Sequence, residues 1–193
     1  MDGEKLPARG DVDGATDVLL RYVLLPGWYL PGLLDWWYHR RSRIERNAGV
    51  TESLMHALQM AECGAGIFLG IVCEIDAGVL AILSGIAALH TATAYIDVAY
   101  ADGRRKIVPG EQHVHSFLET LPLATLAITA CRHPRQWRAL LGLSNEQPRF
   151  AFRMRRPFPA AYLAAVMLGS VAFIALPYGE ELLRCLRARP TER

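Results

Sequence analysis

At 193 residues the chain has room for one domain of ordinary size, and a formal net charge of +2 speaks against a protein held to nucleic acid by bulk charge. Its averages, 52% hydrophobic and 21% charged with a mean hydropathy of +0.15, would suit a soluble enzyme. The arrangement excludes one, because the charges are bunched and the apolar residues run together. The four cysteines form no CxxC pair, which argues against both a disulfide framework and a zinc ribbon.

Residues 1–15 are polar and rich in Gly and Asp, and read as a disordered tail. They lack the basic, apolar and small-residue regions of a secretory signal. Residues 18–39 form a first, irregular span. Pro26-Gly27 and Pro31-Gly32 interrupt it, and Trp28, Tyr29, Trp36, Trp37 and Tyr38 suit the two interfacial belts of a membrane helix. A helix starting near Pro31 is expected to run on into the basic residues after His39.

Residues 54–74, 77–97 and 160–178 are three regular spans, with Thr51 a candidate N-cap for the first of them. At ~1.5 Å per residue each is long enough for a helix to cross a ~30 Å hydrocarbon layer. Helix is required there, since an open strand edge would leave backbone groups unpaired in lipid. Residues 110–130 hold Glu119 and Pro122, and their apolar part, 117–130, is short of a crossing, so a short re-entrant or interfacial helix is expected. The fold class is therefore all-α and membrane-integral. Its single domain, residues 16–183, has about four spans and one short helix, and a basic tail, residues 184–193, comes after it.

Cytoplasmic loops tend to carry the Lys and Arg. Arg40, Arg41, Arg43 and Arg46 follow the first span, and Arg104, Arg105 and Lys106 follow the third, whereas the turn holding Glu74 and Asp76 has no cation. This bias places His39, Glu52 and Asp97 on the cytoplasmic side, and the Arg/Ala-rich composition fits a bacterial inner (plasma) membrane. A re-entrant 117–130 keeps the seven arginines between Arg132 and Arg156 on that side too. Beside a span, such arginines suit anionic headgroups better than nucleic acid, even with Trp137, Phe150 and Phe152 nearby.

Ionisable groups at membrane depth are costly and usually mark a site. Here they share helical faces: Asp35 with His39, Glu52 with His56, His90 with Asp97, and Glu111 with His115 and Glu119. His113 lies two residues from His115, about 200° around a regular helix, so only one of the two can share the Glu111 face. Glu62 adds a deeper carboxylate, roughly level with His90. Carboxylate- and His-bearing helices that converge inward are how di-metal sites form in helical bundles. Oxygen and imidazole donors without thiolate suit iron, with zinc or manganese as alternatives. Each pair also has a plainer reading, as an interfacial helix end or an acidic first turn favoured by the helix dipole.

The predicted centre thus takes metal ligands from Asp35, His39, Glu52, His56, His90, Asp97, His113, His115 and Glu119, with Glu62 and Glu111 in acid–base or supporting roles. Roofed by lipid-facing helices, it would oxidise a membrane lipid or other hydrophobic substrate by hydroxylation or desaturation. No GxGxxG or CxxCH motif is present, so electrons would come from a separate donor. Two rivals stay open: a zinc-dependent lipid hydrolase with Glu111 or Glu62 as base, and a non-enzymatic membrane carrier or proton-coupled adaptor in which Glu62 and His90 titrate. Around His113-Val-His115, within PGEQHVHSFLE, the chain resembles membrane fatty-acid desaturases and hydroxylases only in general plan, as a small helical bundle with a cytoplasmic His-rich site. The HxxxH and HxxHH boxes of those enzymes are absent, so no residue role is carried over from them.

Overall fold

A computed structural model describes residues 9–188. Among these residues the chain is helical without strands. Helix α1, Arg9–Val18, continues through a π-helical turn, Leu19–Leu24, and a last short piece, Leu25–Gly27. The helical backbone continues through a turn at Trp28, whose N–H donates to Leu24 O at 3.2 Å, into α2, Tyr29–Ser42. Then come α3, Gly49–Val72, α4, Ala77–Asp102, α5, Pro109–Arg132, and the short α6, Pro134–Leu140. The last helix, α7, spans Ala160–Arg187 with a π turn at Val171–Ala175.

Four helices, α3, α4, α5 and α7, are long and apolar enough to cross a membrane. Their surfaces carry the large apolar side chains: Phe68, Tyr95, Ile96, Met167 and Leu168 are all more than half exposed. The interior meanwhile holds Asp, Glu and His. This inversion of the usual order, with polar groups inside and apolar groups out, is what a bundle solvated by lipid requires.

This set of four differs from the one expected. The helix that holds residues 117–130 is not short: α5 runs unbroken through Pro122 for 24 residues in all, because it begins at Pro109, a favoured first-turn position. The polar start of α5 hid its full length. Residues 18–39 are helical and irregular as expected, with a π turn at Leu19–Leu24 and a turn at Trp28, but they are not among the four. The N-terminal tail is helical from Arg9, and residues 1–8 and 189–193 lie outside the described residues. Thr51 is not a cap, since α3 already begins at Gly49.

Helix α3 packs chiefly on α4 and on the second half of α7, α2 packs on α5, and α4 packs on α5. The first turn of α4 is capped by Asp76, whose Oδ1 accepts from Val79 N at 2.9 Å. Its Oδ2 accepts from Ala151 N and Phe152 N at 2.8 and 3.2 Å, and so ties residues 149–155 as a strap across the α3–α4 turn. Gly78 is where that strap comes closest, because a Cβ there would lie 2.7 Å from the Phe152 ring. With α3 to α5 and α7 running up and down in turn, the starts of α3 and α5 and the ends of α4 and α7 share one end of the bundle. The arginines Arg132–Arg156 therefore sit at the opposite end, because α5 has run its full length before them.

Candidate metal centre

The end of the bundle where α3 and α5 begin gathers eight buried ionisable side chains from α2, α3, α4, α5, α7 and the α4–α5 loop. Asp35, His39, Glu52, His56, Asp97, Glu111, Glu181 and Arg105 are each no more than 8% exposed. His115 joins them, half-buried. Asp35 and His39 come from α2, one turn apart, as do Glu52 and His56 on α3 and Glu111 and His115 on α5. Their i,i+4 spacing turns both members of each pair inward.

The centre is organised by a carboxylate absent from the predicted set. Glu181 sits on α7 with one oxygen 2.9 Å from His39 Nδ1 and the other 2.8 Å from His56 Nδ1. The two rings stack in parallel, 4.3 Å between centroids and 5° between planes. One carboxylate thus anchors both imidazoles by the same nitrogen. Their Nε2 atoms are left facing the carboxylates of α2 to α5.

Each Nε2 meets carboxylate oxygens without a hydrogen bond to them. His39 Nε2 lies 3.5 Å from both Asp35 Oδ1 and Glu111 Oε1. His56 Nε2 lies 3.2 Å from Asp97 Oδ2 and 3.9 Å from Glu52 Oε1. His115 Nε2 lies 2.6 Å from Asp35 Oδ1. Despite this proximity, both Nε2 atoms, Asp35 Oδ1 and Asp97 Oδ1 have no hydrogen-bond partner among the described residues. Two donor triads, Asp35–His39–His115 and His39–Glu52–His56, each bring their ligand atoms within 4.8 Å of one another. Ligand atoms ~2.1 Å from a shared ion lie about 3.0–3.4 Å apart at octahedral or tetrahedral angles.

Charge gives the same reading. With neutral histidines, the five carboxylates Asp35, Glu52, Asp97, Glu111 and Glu181 face one guanidinium, Arg105, and leave a buried charge of −4. Arg105 Nε donates to Glu52 Oε1 at 2.9 Å and its Nη1 lies 2.5 Å from Glu111 Oε1. Burial opposes the charge on Arg105, but Glu52 and Glu111 outweigh it and hold the guanidinium above its usual range. A remaining −4 in a water-poor interior is prohibitive unless protons or cations compensate it. Two divalent ions would cancel it.

Tyr178 donates to Asp35 Oδ2 at 2.9 Å and so orients that aspartate from behind, while Gln59 Nε2 donates at 3.2 Å to Asp97 Oδ2, the oxygen that also faces His56. A polar cavity of about 30 Å³ borders the cluster, lined by Asp35, His56, Asp97, His115, Glu119 and Tyr178 among others. It has room for one or two waters or a diatomic ligand.

The remaining expected ligands lie elsewhere. His113 is exposed and packs edge-on against Phe117, on the far side of α5 from His115, as their spacing of two requires. Glu119 reaches only the rim of the small cavity. His90 and Glu62 form a separate, deeper pair: Glu62 Oε2 is 3.3 Å from His90 Nδ1, and its Oε1 accepts from Thr93 at 2.9 Å. Asp97 joins the main cluster without His90, because seven residues up a straight helix place the two about 10 Å apart along the axis.

Glu181, Tyr178 and Arg105 escaped the sequence reading. The first two lie at i,i+3 just past the apolar stretch of α7, where the chain reads as leaving the membrane. The π turn at Val171–Ala175 adds a residue and rotates the rest of α7 by about 100°, which brings Tyr178, Glu181 and Cys185 to the inner face. Glu180, adjacent in sequence, faces outward to Arg40 and Trp36 instead. No family model, curated protein or solved structure matches this chain.

Proposed function

We propose that the chain is a membrane metalloenzyme with a dinuclear, di-iron-type centre that oxidises a hydrophobic, lipid-like substrate. One observation carries the metal: Glu181 fixes two stacked imidazoles by Nδ1 and leaves both Nε2 atoms without a hydrogen bond among four carboxylates that share one guanidinium. A carboxylate behind a ligating histidine sets its tautomer and raises its basicity. His39, Asp35, His115 and Glu111 would hold one ion, and His56, Glu52 and Asp97 the other. Oxygen-rich donors with imidazole and no thiolate favour iron over structural zinc.

A bound pair of redox-active ions would supply oxygen activation. Hydroxylation then places one atom of O2 in a C–H bond and reduces the other to water, using two electrons and two protons. The electrons come from a separate one-electron carrier. The protein's own part is to hold the ligands, keep bulk water out with the apolar helices around the cluster, and hold Asp35 and Asp97 in place through Tyr178 and Gln59. The rival, a zinc lipid hydrolase, draws on the same donors with Glu111 or the deeper Glu62 as base.

Metal analysis of the purified protein separates the readings. Two irons per chain, with near-ultraviolet or visible absorption, are expected. One colourless zinc favours the hydrolase. A folded protein that takes up no metal on reconstitution with ferrous, manganous or zinc ions overturns both.

A further inference from the structure

A second and much larger cavity, about 620 Å³, opens between α1, α3, α4 and α5 towards the other end of the bundle. Its volume lies in the range that encloses one small ligand, about 300–1,000 Å³. The walls are apolar: Leu24, Ile67, Ile71, Leu83, Ile86 and Leu126. On α5 they extend from Leu121 to Arg132, roughly 16 Å at 1.5 Å per residue. The inner end is formed by Trp28, Cys63 and His90, and the indole N–H of Trp28 is buried with no acceptor among the described residues.

The mouth is cationic. Arg21, Arg132, Arg149, Arg155 and Arg156 line it with only two carboxylates, Asp17 and Glu74. Asp17 is shared between Arg21 and Arg132. Arg149 and Arg156 pair with no carboxylate among the described residues, and Arg155 lies over the Phe158 ring at 4.1 Å while donating to Gly70 O. Burial, and after it the nearby charges of Arg21 and Arg132, push the Arg155 guanidinium below its usual range.

We propose that this cavity binds a single-chain amphiphile with an anionic head, of the fatty-acid class. The carboxylate sits among Arg149, Arg155 and Arg156, and the alkyl chain runs inward along α5 towards His90. An open apolar cavity of this length with several guanidiniums in its lining is complementary to such a molecule at both ends, and a neutral lipid or a free anion matches only one. The proposal goes beyond the metal reading and does not rest on it, since this cavity shares no lining residue with the small cavity beside the cluster. Binding itself is measured on metal-free protein.

The experiment is electron paramagnetic resonance of a fatty acid spin-labelled near its methyl end, added to the detergent-purified full chain stripped of metal. An immobilised component is expected, displaced by unlabelled fatty acid but not by its methyl ester or by inorganic phosphate. The double variant Arg149→Gln/Arg156→Gln should weaken binding of the acid at least tenfold and leave the ester unchanged. Gly66→Leu, which fills the wall opposite Leu83 and Ile86, should remove the immobilised component while unaltered metal uptake reports an intact bundle. Equal competition by the ester removes the anionic-head assignment. Competition by inorganic phosphate makes the site one for free anions, and equal competition by a two-chain anionic phospholipid makes it a bilayer-lipid site; each overturns the proposal. So does the absence of any immobilised component. Failure of the metal reading appears separately, as a metal count of zero in protein that still binds the acid.

Discussion

Two buried polar groups lie on the same helices within a few turns of each other, and they are built on opposite principles. The Glu62–His90 pair is nearly closed: one carboxylate, one imidazole and the Thr93 hydroxyl share a small network beside Cys63, with Glu62 Oε2 alone left without a hydrogen bond. The cluster around Glu181 is open, with five carboxylates against one guanidinium, both Nε2 atoms unpaired, and a support on Asp35 Oδ2 that leaves its Oδ1 facing His39 and His115. A histidine beside a carboxylate is therefore no guide to a metal. The guide is an excess of acceptors whose lone pairs converge and have no donor.

This contrast breaks most sharply on metal content. His39→Ala and His56→Ala each remove an unpaired Nε2 and leave half of the Glu181 carboxylate unused, so the metal count measured by elemental analysis should fall from two towards zero. His90→Ala should leave it at two. Equal losses in all three variants would mean that the two networks are one site. The next largest effect falls on Arg105, the single cation of the open cluster. Arg105→Gln leaves Glu52 and Glu111 buried without it and should cost about 3–5 kcal/mol, read as a lower thermal midpoint of metal-free protein. Reconstitution with metal should recover part of that loss. Glu62→Gln, in the closed pair, should cost only about 1–2 kcal/mol and show no metal-dependent recovery.

A finer test addresses Glu181 alone. Glu181→Gln keeps size and one acceptor oxygen, but its amide N–H₂ faces one imidazole as a donor and favours the wrong tautomer there. Loss of a carboxylate that supports a ligating histidine typically weakens metal binding 10–100-fold. Titration with a competing chelator should show that drop with the thermal midpoint of the metal-free protein little changed. A fall in stability with unchanged metal affinity would make Glu181 a brace for the α2–α3–α7 contact and nothing more.

The legibility of the fold and the cluster in the sequence depends on where each signal lives. Asp35/His39, Glu52/His56 and Glu111/His115 could be read because i,i+4 pairs on one helix need no tertiary knowledge. The apolar runs of α3, α4 and α7 were legible for the same reason. Glu181 was not, since its inward direction depends on a π turn that no pattern of apolar residues marks. Arg105 lies in a loop, where a cation reads as a topology signal, and only the fold turns it back onto Glu52. The length of α5 was hidden because its first turns line a polar site; the composition that makes them functional also makes them look extramembrane. His90 was grouped with Asp97 by face alone, which ignored the depth that separates them.

The smallest predicted effect lies at the arginine end, where no charge cluster is buried and the backbone itself is held by one carboxylate. Burial raises the Asp76 carboxyl, but hydrogen bonds from the backbone N–H groups of Val79, Ala151 and Phe152 outweigh it and hold the group below the usual carboxylate range. A carboxyl depressed by folding adds stability that is fully present above its unfolded value, about 3.9, and is lost as pH falls through the lower folded value. Asp76→Asn keeps an oxygen for the α4 cap but gives up the charge and one acceptor on the strap, a loss of about 1 kcal/mol at neutral pH. The gap between the two proteins in thermal midpoint should stay constant from neutral pH to about 5 and close only in stronger acid. If it persists undiminished there, the strap is held by the packing of Phe150 and Phe152 against Gly78, and the carboxylate's charge is not what closes that end of the bundle.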